Sequence, residues 1–305
     1  MPLQISIASV ERETGLGKDT LRVWERRYGF PQPHRDANGE RLYPPEQVEH
    51  LRLIKRLMDQ GHRPGRLFSL SAEERLELAD ASPSNPSNPA DLTRAAPPLI
   101  ARTLARLKSH DSQGLAQTLK QALARQGLRR FVLETVAPLN RAVGDAWTRG
   151  ELEIFEEHLY SELMTSLLRQ AISSQPSRAS GSPRILLTTV PEEQHGLGLL
   201  MAESLLSLDG ATCISLGTQT PMFDIRRAAE AHQANIVALS FSAAFPLRKI
   251  APLLKQLRDM LPPDILLWAG GNTSERLAAI DGVIPLARLE DALSALQRWR
   301  SKPLA

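Results

Sequence analysis

Residues 185–198 read ILLTTVPEEQHGLG, an apolar run that passes through a polar, glycine-containing loop into a helical stretch. Four later β-rich runs also precede helical stretches, and they lie at 213–216, 236–241, 265–269 and 283–286. Five successive βα units predict a parallel sheet covered by helices on both faces. Ligand sites in such sheets lie at the carboxyl ends of the strands, and residues 193–198 follow the first strand directly.

The chain before this sheet is helical and contains a proline-rich break. Residues 99–175 carry leucines at helical spacing, such as Leu115, Leu119 and Leu123, and predict a four-helix bundle. Residues 81–98 combine prolines with Ser and Asn, so we expect a semi-extended linker there. The predicted fold class is therefore multidomain α and α/β, with an N-terminal domain over 1–80 and a five-stranded α/β domain over 184–305.

Composition narrows the class of protein. The 305 residues are 42 % hydrophobic and 23 % charged, and no apolar run reaches about 18 residues, so we expect no membrane-spanning segment. The single cysteine, Cys213, excludes an internal disulfide, which favours a cytoplasmic location. The net charge of +3 arises within residues 1–70, which hold twelve Lys and Arg against nine Asp and Glu. This bias favours an acidic or nucleic-acid partner for the N-terminal domain.

The N-terminal domain has the plan of a helix-turn-helix. Predicted helices at 7–14 and 18–28 flank a glycine-containing turn, and the second reads KDTLRVWERRY, a basic and aromatic sequence. Further helices are predicted at 46–60 and 72–79, and Ser71 with Glu74 forms a capping-box pattern before the last.

Residues 9–43 resemble the MerR winged-helix family. The resemblance rests on the TG turn, the TLRxWExR helix and a wing that carries Asn38, Gly39, Arg41 and Tyr43. It implies that the second helix enters the major groove of double-stranded operator DNA while the wing holds the adjacent backbone. The residues expected to contact DNA are Lys18, Arg22, Trp24, Arg27, Tyr28, Arg35 and Arg41. Two alternatives stay open: a helical domain with a solvated basic face, and Trp24 as a core residue.

Three elements of the last segment resemble the B12-binding fingerprint Asp-x-His-x-x-Gly, Ser-x-Leu and Gly-Gly. They are Glu193 to Gly198 (EQHGLG), Ser240 to Ser242 (SFS), and Gly270-Gly271. The resemblance implies cobalamin bound base-off and His-on, with His195 on cobalt in place of the cofactor's own dimethylbenzimidazole. The expected cofactor-binding residues are Glu193, His195, Gly198, Ser240, Gly270 and Gly271.

The residue types suit this chemistry. A neutral imidazole is a good donor to cobalt, and Glu193 can hold its second ring nitrogen. Glycines let a nucleotide tail pass between strands, and Ser240 can hydrogen-bond the buried base. Two departures occur: Glu193 replaces the usual Asp, and Ser242 replaces the usual Leu or Thr, which weakens that element. The alternative is an ordinary surface histidine followed by a glycine turn.

The bundle carries Trp147, nine further residues, and then Glu157-His158. This pattern is similar to that of the CarH/LitR adenosylcobalamin photoreceptor repressors. The resemblance implies that Trp147, Glu157 and His158 contact the upper 5′-deoxyadenosyl group. Some members carry a His directly after the Trp, where this chain has Thr148, which cannot supply the second imidazole of a bis-histidine light state. Without the resemblance, Trp147 would be read as core and Glu157-His158 as an exposed pair.

Together the resemblances imply a light-sensing repressor. It would bind operator DNA in the dark as an adenosylcobalamin-loaded dimer or tetramer and release it on Co–C photolysis. Two alternatives stay open: a MerR-type regulator whose B12 fold is empty or senses a partner, and a corrinoid methyl carrier. Glu192 and Glu193 are adjacent loop carboxylates rather than an acid–base pair, so we expect no enzymatic activity.

Overall fold

The computed structural model describes residues 4–36, 39–59, 62–81, 97–175, 182–271 and 280–301. These residues form two compact units: the described residues up to 81 with 144–154, and 97–143 with 155–301. Most of the predicted linker at 81–98, and Asn38 of the predicted wing, lie outside the described residues. None of the helices in the described part is long and apolar enough to cross a bilayer.

The N-terminal unit combines a small antiparallel sheet with short helices. Its strands, in the order β1-β3-β2, are β1 (Ile5–Ser6), β2 (His34–Arg35) and β3 (Arg41–Tyr43). Its helices are α1 (Ile7–Thr14), α2 (Lys18–Tyr28), α3 (Pro45–Asp59), α4 (Pro64–Ser69) and α5 (Ala72–Ala81). α1 ends at Gly15, whose φ of 67° permits the tight turn into α2. The predicted helix-turn-helix and its wing, the β2–β3 hairpin, are confirmed.

The core of this unit gathers the apolar faces of α2, α3 and α4. Leu21, Leu51 and Leu67 are fully buried, and Trp24 lies among them. The predicted capping box before α5 is confirmed, because Ser71 N–H donates to Glu74 and Glu74 N–H donates to Ser71 Oγ. Helix α4 was not predicted, and it begins with Pro64 at a position where a missing N–H costs nothing.

The middle of the chain contains the predicted four helical stretches, the third interrupted by a π-helical turn. They are α6 (Pro97–Lys108), α7 (Ser112–Gln126), α8 (Leu128–Arg130) continued by the π turn Phe131–Val136 into α9 (Ala137–Thr148), and α10 (Ile154–Ser173). Phe131, Leu115 and Met164 are fully buried. The bundle contacts the α/β domain through an ion pair between Arg129 and Asp209.

The C-terminal part is the predicted parallel sheet, with strand order β5-β4-β6-β7-β8. Its strands are β4 (Arg184–Thr188), β5 (Thr212–Gly217), β6 (Ile236–Ser240), β7 (Leu266–Gly270) and β8 (Val283–Leu286). Its helices are α11 (Leu197–Leu208), α12 (Met222–Ala231), α13 (Leu247–Met260) and α14 (Leu289–Arg300). The predicted fold class is confirmed.

Helices cover both faces of this sheet, and the face that each helix covers determines where a ligand can enter. One apolar cluster joins the sheet to α12 and α13, and another joins it to α11 and α14. The chain therefore leaves the neighbouring strands β4 and β6 toward opposite faces. This is the topological switch point, where open α/β sheets form a crevice beyond the strand ends.

Candidate functional site

The loop after β4 and the loop after β6 bring together Glu193, His195 and Ser242. Glu193 Oε1 lies 2.7 Å from His195 Nδ1 and also accepts the His195 backbone N–H at 3.0 Å. Glu193 Oε2 accepts both the backbone N–H and the hydroxyl of Ser242, each at 2.8 Å. Ser242 Oγ also lies 3.0 Å from His195 Nδ1. Both carboxylate oxygens are therefore engaged at the switch point.

The electrostatics of Glu193 keep it ionised. Its side chain is 1 % exposed, and burial alone raises the pKa of a carboxyl group. Hydrogen bonds from His195 and Ser242 oppose this effect and hold the pKa of Glu193 below its ordinary value. An ionised Glu193 accepts a hydrogen bond from Nδ1–H, so Nε2 is the ring nitrogen that offers a lone pair. The His195 side chain is 58 % exposed, so its ring can be reached from outside.

Neighbouring residues fix the shape of the His195 loop. Thr189 Oγ1 donates to the carbonyl of Glu193 at 2.5 Å and accepts the N–H of Gln219 at 2.8 Å. Glu192 adopts a φ of 71°, a left-handed conformation that is uncommon for a residue with a side chain. Lys249, at the start of α13, reaches the Glu192 carboxylate at 2.6 Å. The loop is thus tied to the segments that follow both flanking strands.

A narrow cavity of about 140 Å³ lies between the sheet and helices α11 and α14. It is mostly apolar, and its lining includes Gly198, Ser240, Trp268, Gly270 and Gly271. A Cβ on Gly198 would stand 2.5 Å from Ser240 Oγ, so a larger residue there would displace the Ser240 hydroxyl. Gly271 has a φ of 126°, and a Cβ there would meet the Phe241 carbonyl oxygen at 2.0 Å. The structure thus brings four predicted site residues to one cavity.

The predicted upper-face residues lie on two helices. Glu157 is half-buried on α10, accepts the Ser161 hydroxyl at 2.6 Å and lies 3.9 Å from His158 Nε2, while His158 is 69 % exposed. Trp147 belongs to the first unit, where it is half-buried one residue before α9 ends. Thr148 donates its hydroxyl to the Gly144 carbonyl at 2.8 Å.

Sequence reasoning missed polar contacts that join distant parts of the chain. His110 Nε2 lies 3.1 Å from the carboxylate of Glu156, a buried residue 46 positions away. The ring of His110 packs 5.3 Å from that of Phe155, which is 56 % exposed. Nothing in the spacing of these residues marks them as neighbours. Ser242 was judged a weakening departure, and the structure instead gives it two hydrogen bonds to Glu193.

The predicted DNA-binding residues divide between surface and core. Arg22 and Arg27 are exposed on α2, Lys18 is partly exposed at its start, and Arg35 is exposed on the wing. The prediction that Trp24 contacts DNA is wrong, because its side chain is buried and packs edge-on against Phe68 at 5.0 Å.

Two further residues of this set have partners within the unit. Tyr28 is half-buried and stacks on Phe68 at 4.4 Å, with the Arg27 guanidinium 5.3 Å above its ring. Arg41 donates to Glu25 at 2.7 Å, which ties the wing to α2 and raises the pKa of Arg41. Arg41 therefore orients the wing against the helix that would enter the groove.

Comparison with known proteins identifies relatives along most of the chain. Residues 5–67 match the family described as MerR HTH family regulatory protein, and residues 99–171 match the family described as B12 binding domain. The chain is 30 % identical over 267 residues to the HTH-type transcriptional repressor CarH of Myxococcus xanthus, covering 87 % of this chain and 88 % of that protein. It is 29 % identical over 279 residues to the repressor CarA of the same organism, covering 91 % and 90 %.

A solved structure adds a likeness of fold alone. The monomethylamine corrinoid protein of Methanosarcina barkeri matches with a TM-score of 0.50 and 17 % identity, covering 65 % of this chain and 96 % of that one.

Proposed function

Because this chain belongs to the family of the HTH-type transcriptional repressor CarH, we propose that it is a cobalamin-dependent transcriptional repressor that responds to light in the cytoplasm. It binds operator DNA in the dark as a dimer or tetramer loaded with 5′-deoxyadenosylcobalamin, and it releases the DNA on illumination. The observation that carries the proposal is the ring of His195, held by a buried carboxylate at the edge of the sheet where ligands bind.

Three features support a corrinoid whose own base is displaced. His195 would offer Nε2 to cobalt while Glu193 holds Nδ1, the arrangement that orients metal-bound histidines. The narrow cavity, with the Ser240 hydroxyl among apolar residues, suits a buried nucleotide tail. The described residues include no cluster of three or more His, Cys, Asp or Glu side chains placed to hold a metal ion. A single imidazole therefore fits a cobalt that arrives within a macrocycle.

The residues proposed for the upper face of the corrinoid are assigned from the sequence pattern. We assign Trp147, Glu157 and His158 to the upper ligand, with Glu157 accepting from ribose hydroxyls and Trp147 offering a flat apolar wall. 5′-Deoxyadenosylcobalamin supplies a Co–C bond that light cleaves, which is the chemistry that the response requires. Thr148 offers no imidazole, so the proposal includes no second histidine ligand beside Trp147.

The DNA-binding face follows from the exposed cations of the first unit. Lys18, Arg22 and Arg27 on α2 would contact the major groove and its phosphates, with Tyr28 at the end of the helix. Arg35 and Arg41 would place the wing on the adjacent backbone. Linking several such units in one oligomer raises operator affinity, because each further contact becomes intramolecular.

The test is size-exclusion chromatography with absorbance detection of the full chain, in the dark and after illumination, with and without adenosylcobalamin. We expect corrin absorbance to co-elute with an oligomer in the dark and with a smaller species after illumination. DNA fragments selected from a random library by the dark complex should bind it and dissociate in light. His195→Ala should lose the coloured oligomer, while Arg22→Ala should keep it and lose DNA affinity.

Two outcomes would contradict separate parts of the proposal. If no corrin absorbance co-elutes with the wild-type chain, cobalamin sensing is wrong. If cofactor binds but illumination changes neither elution volume nor DNA affinity, light sensing alone is wrong. A methyl-transfer assay with the loaded protein addresses the remaining alternative of a corrinoid methyl carrier, for which we expect no transfer.

A further inference from the structure

One residue that lines the cavity between the sheet and helices α11 and α14 carries a buried donor that the proposed function leaves unused. Trp268 on β7 is 1 % exposed and lines this cavity. Its indole Nε1–H finds no hydrogen-bond partner among the described residues. A buried N–H without an acceptor is unfavourable, and such groups in folded proteins usually have a partner, a bound water or a functional role.

The register of the sheet places Trp268 further from the carboxyl edge than Gly270 and Gly271, the other lining residues of the same stretch. Trp268 pairs with Ala238 and Gly270 pairs with Ser240 across neighbouring parallel strands. Because side chains two residues apart on a strand share a face, Trp268 lies on the same face as Gly270 and one step further from the carboxyl edge. Ala238 and Ser240 line the cavity together with Trp268, and Ser240 lies nearer the carboxyl edge of the sheet.

We propose that Trp268 Nε1–H donates a hydrogen bond to the nucleotide tail of the bound corrinoid, and that this chain thereby selects corrinoids that carry such a tail. The inference rests on the proposed function. The tail brings acceptors, namely phosphate and ribose oxygens and a base nitrogen, into an otherwise apolar cavity. A corrinoid without a tail leaves the cavity unfilled and the indole N–H without an acceptor. Trp268 is a specificity-determining residue in this account and does not contact cobalt.

The test compares two corrinoids that differ in the tail alone. Adenosylcobalamin and adenosylcobinamide, which lacks the nucleotide, are titrated in the dark into the full chain, and binding is measured by equilibrium dialysis with absorbance detection. Trp268→Phe keeps an aromatic ring in the core and removes the N–H. The matched control is Trp299→Phe, because Trp299 packs against the same apolar cluster and is not among the residues that line the cavity.

We expect Trp268→Phe to weaken adenosylcobalamin binding about tenfold, the loss that one buried hydrogen bond carries, and to change adenosylcobinamide binding less than about twofold. Trp299→Phe should leave both affinities within about twofold. The thermal midpoint of the cofactor-free variants is measured alongside, because the smaller ring costs packing in the core while removal of an unsatisfied donor offsets part of that cost.

Other outcomes overturn the inference. If Trp268→Phe leaves both affinities unchanged, the indole N–H meets no acceptor on the tail. If it weakens both corrinoids equally and lowers the thermal midpoint of the cofactor-free chain, Trp268 has a structural role alone. Failure of the wild type to bind adenosylcobalamin would instead contradict the proposed function, so the two failures are distinguishable.

Discussion

The side chains of Glu193, beside His195, and of Glu157, beside His158, differ in how firmly they are held. In the loop, Glu193 is 1 % exposed and both of its oxygens accept hydrogen bonds from two chain segments. On α10, Glu157 accepts from Ser161, one turn further along the same helix, and His158 is 69 % exposed. The side chain of Glu193 is thus fixed by tertiary contacts, whereas that of Glu157 is held by a contact within its own helix.

This difference suits a cofactor site whose lower and upper faces have different roles. A histidine that is already oriented before the cofactor binds raises the affinity for the cofactor, because little further ordering is needed on binding. Parts of a protein that respond to a signal are drawn from its less constrained elements. In the proposed function the His195 loop is the constant anchor, and the Glu157-His158 segment adapts to the presence or absence of an upper ligand.

The largest expected effect comes from removing the carboxylate that holds the anchor. Glu193→Ala leaves Nδ1 of His195 and the N–H of Ser242 without their acceptor. We expect adenosylcobalamin affinity to fall about 10- to 100-fold, the range for residues that orient metal ligands. Dark titrations followed by corrin absorbance measure the loss. Glu193→Asp, the usual residue of the resembled fingerprint, is the control and should retain most of the affinity.

A smaller effect is expected from Ser242. Ser242→Ala removes the hydroxyl hydrogen bond to Glu193 and keeps the backbone one, so affinity should fall about fivefold. Ser242→Thr keeps the hydroxyl and serves as the matched control in the same titration. Equal affinity for Ser242→Ala and the wild type would show that the backbone N–H alone positions Glu193.

The sequence predicted the anchor better than its surroundings, for a physical reason. Glu193 and His195 lie two residues apart on one loop, so their contact is local and can be inferred from spacing. Ser242 is 49 positions from Glu193, and its contact depends on β4 and β6 being neighbours in the sheet. From the identity of Ser242 alone, the residue was therefore wrongly expected to weaken the site.

The helical regions illustrate a second limit. Trp24 lies among basic residues that face outward on α2, and helical periodicity alone did not decide which side it takes. Phe68, on the unpredicted helix α4, provides the core contact that resolves it. The π turn at 131–136 and the contact of His110 with Glu156 likewise depend on tertiary packing that no local pattern records.

For Glu157 on α10, we expect a smaller change in corrinoid affinity, and one that depends on the upper ligand of the corrinoid. Glu157→Gln should lower adenosylcobalamin affinity about threefold, because a half-exposed carboxylate gives a modest hydrogen bond. The affinity for hydroxocobalamin, which lacks the 5′-deoxyadenosyl group and therefore the ribose on the upper face, should not change. Competition between the two corrinoids in the dark measures the ratio. An equal loss for both would assign Glu157 to the stability of α10 rather than to the upper ligand.

The smallest expected effect is that of Glu193 ionisation on the thermal stability of the cofactor-free chain. Burial raises the pKa of Glu193, but the hydrogen bonds from His195 and Ser242 lower it by more. The pKa of Glu193 in the folded chain therefore lies below its ordinary value. Because its folded pKa lies below the unfolded value, ionisation of Glu193 stabilises the fold above the unfolded pKa, and this contribution is lost as pH falls through the folded pKa. The thermal midpoint of the wild type should exceed that of Glu193→Gln near neutral pH, and the difference should shrink in acid. A difference that grows in acid would contradict this assignment.

The central claim is that His195 ligates cobalt in place of the cofactor's own base. Electron paramagnetic resonance of the chain loaded with cob(II)alamin tests it, because the axial nitrogen splits the cobalt lines. The account predicts that each line is a triplet with unlabelled protein and becomes a doublet when the histidines carry ¹⁵N. Triplets that persist in the labelled wild type, with the same spectrum in His195→Ala, would assign the axial nitrogen to the cofactor's base and contradict the account.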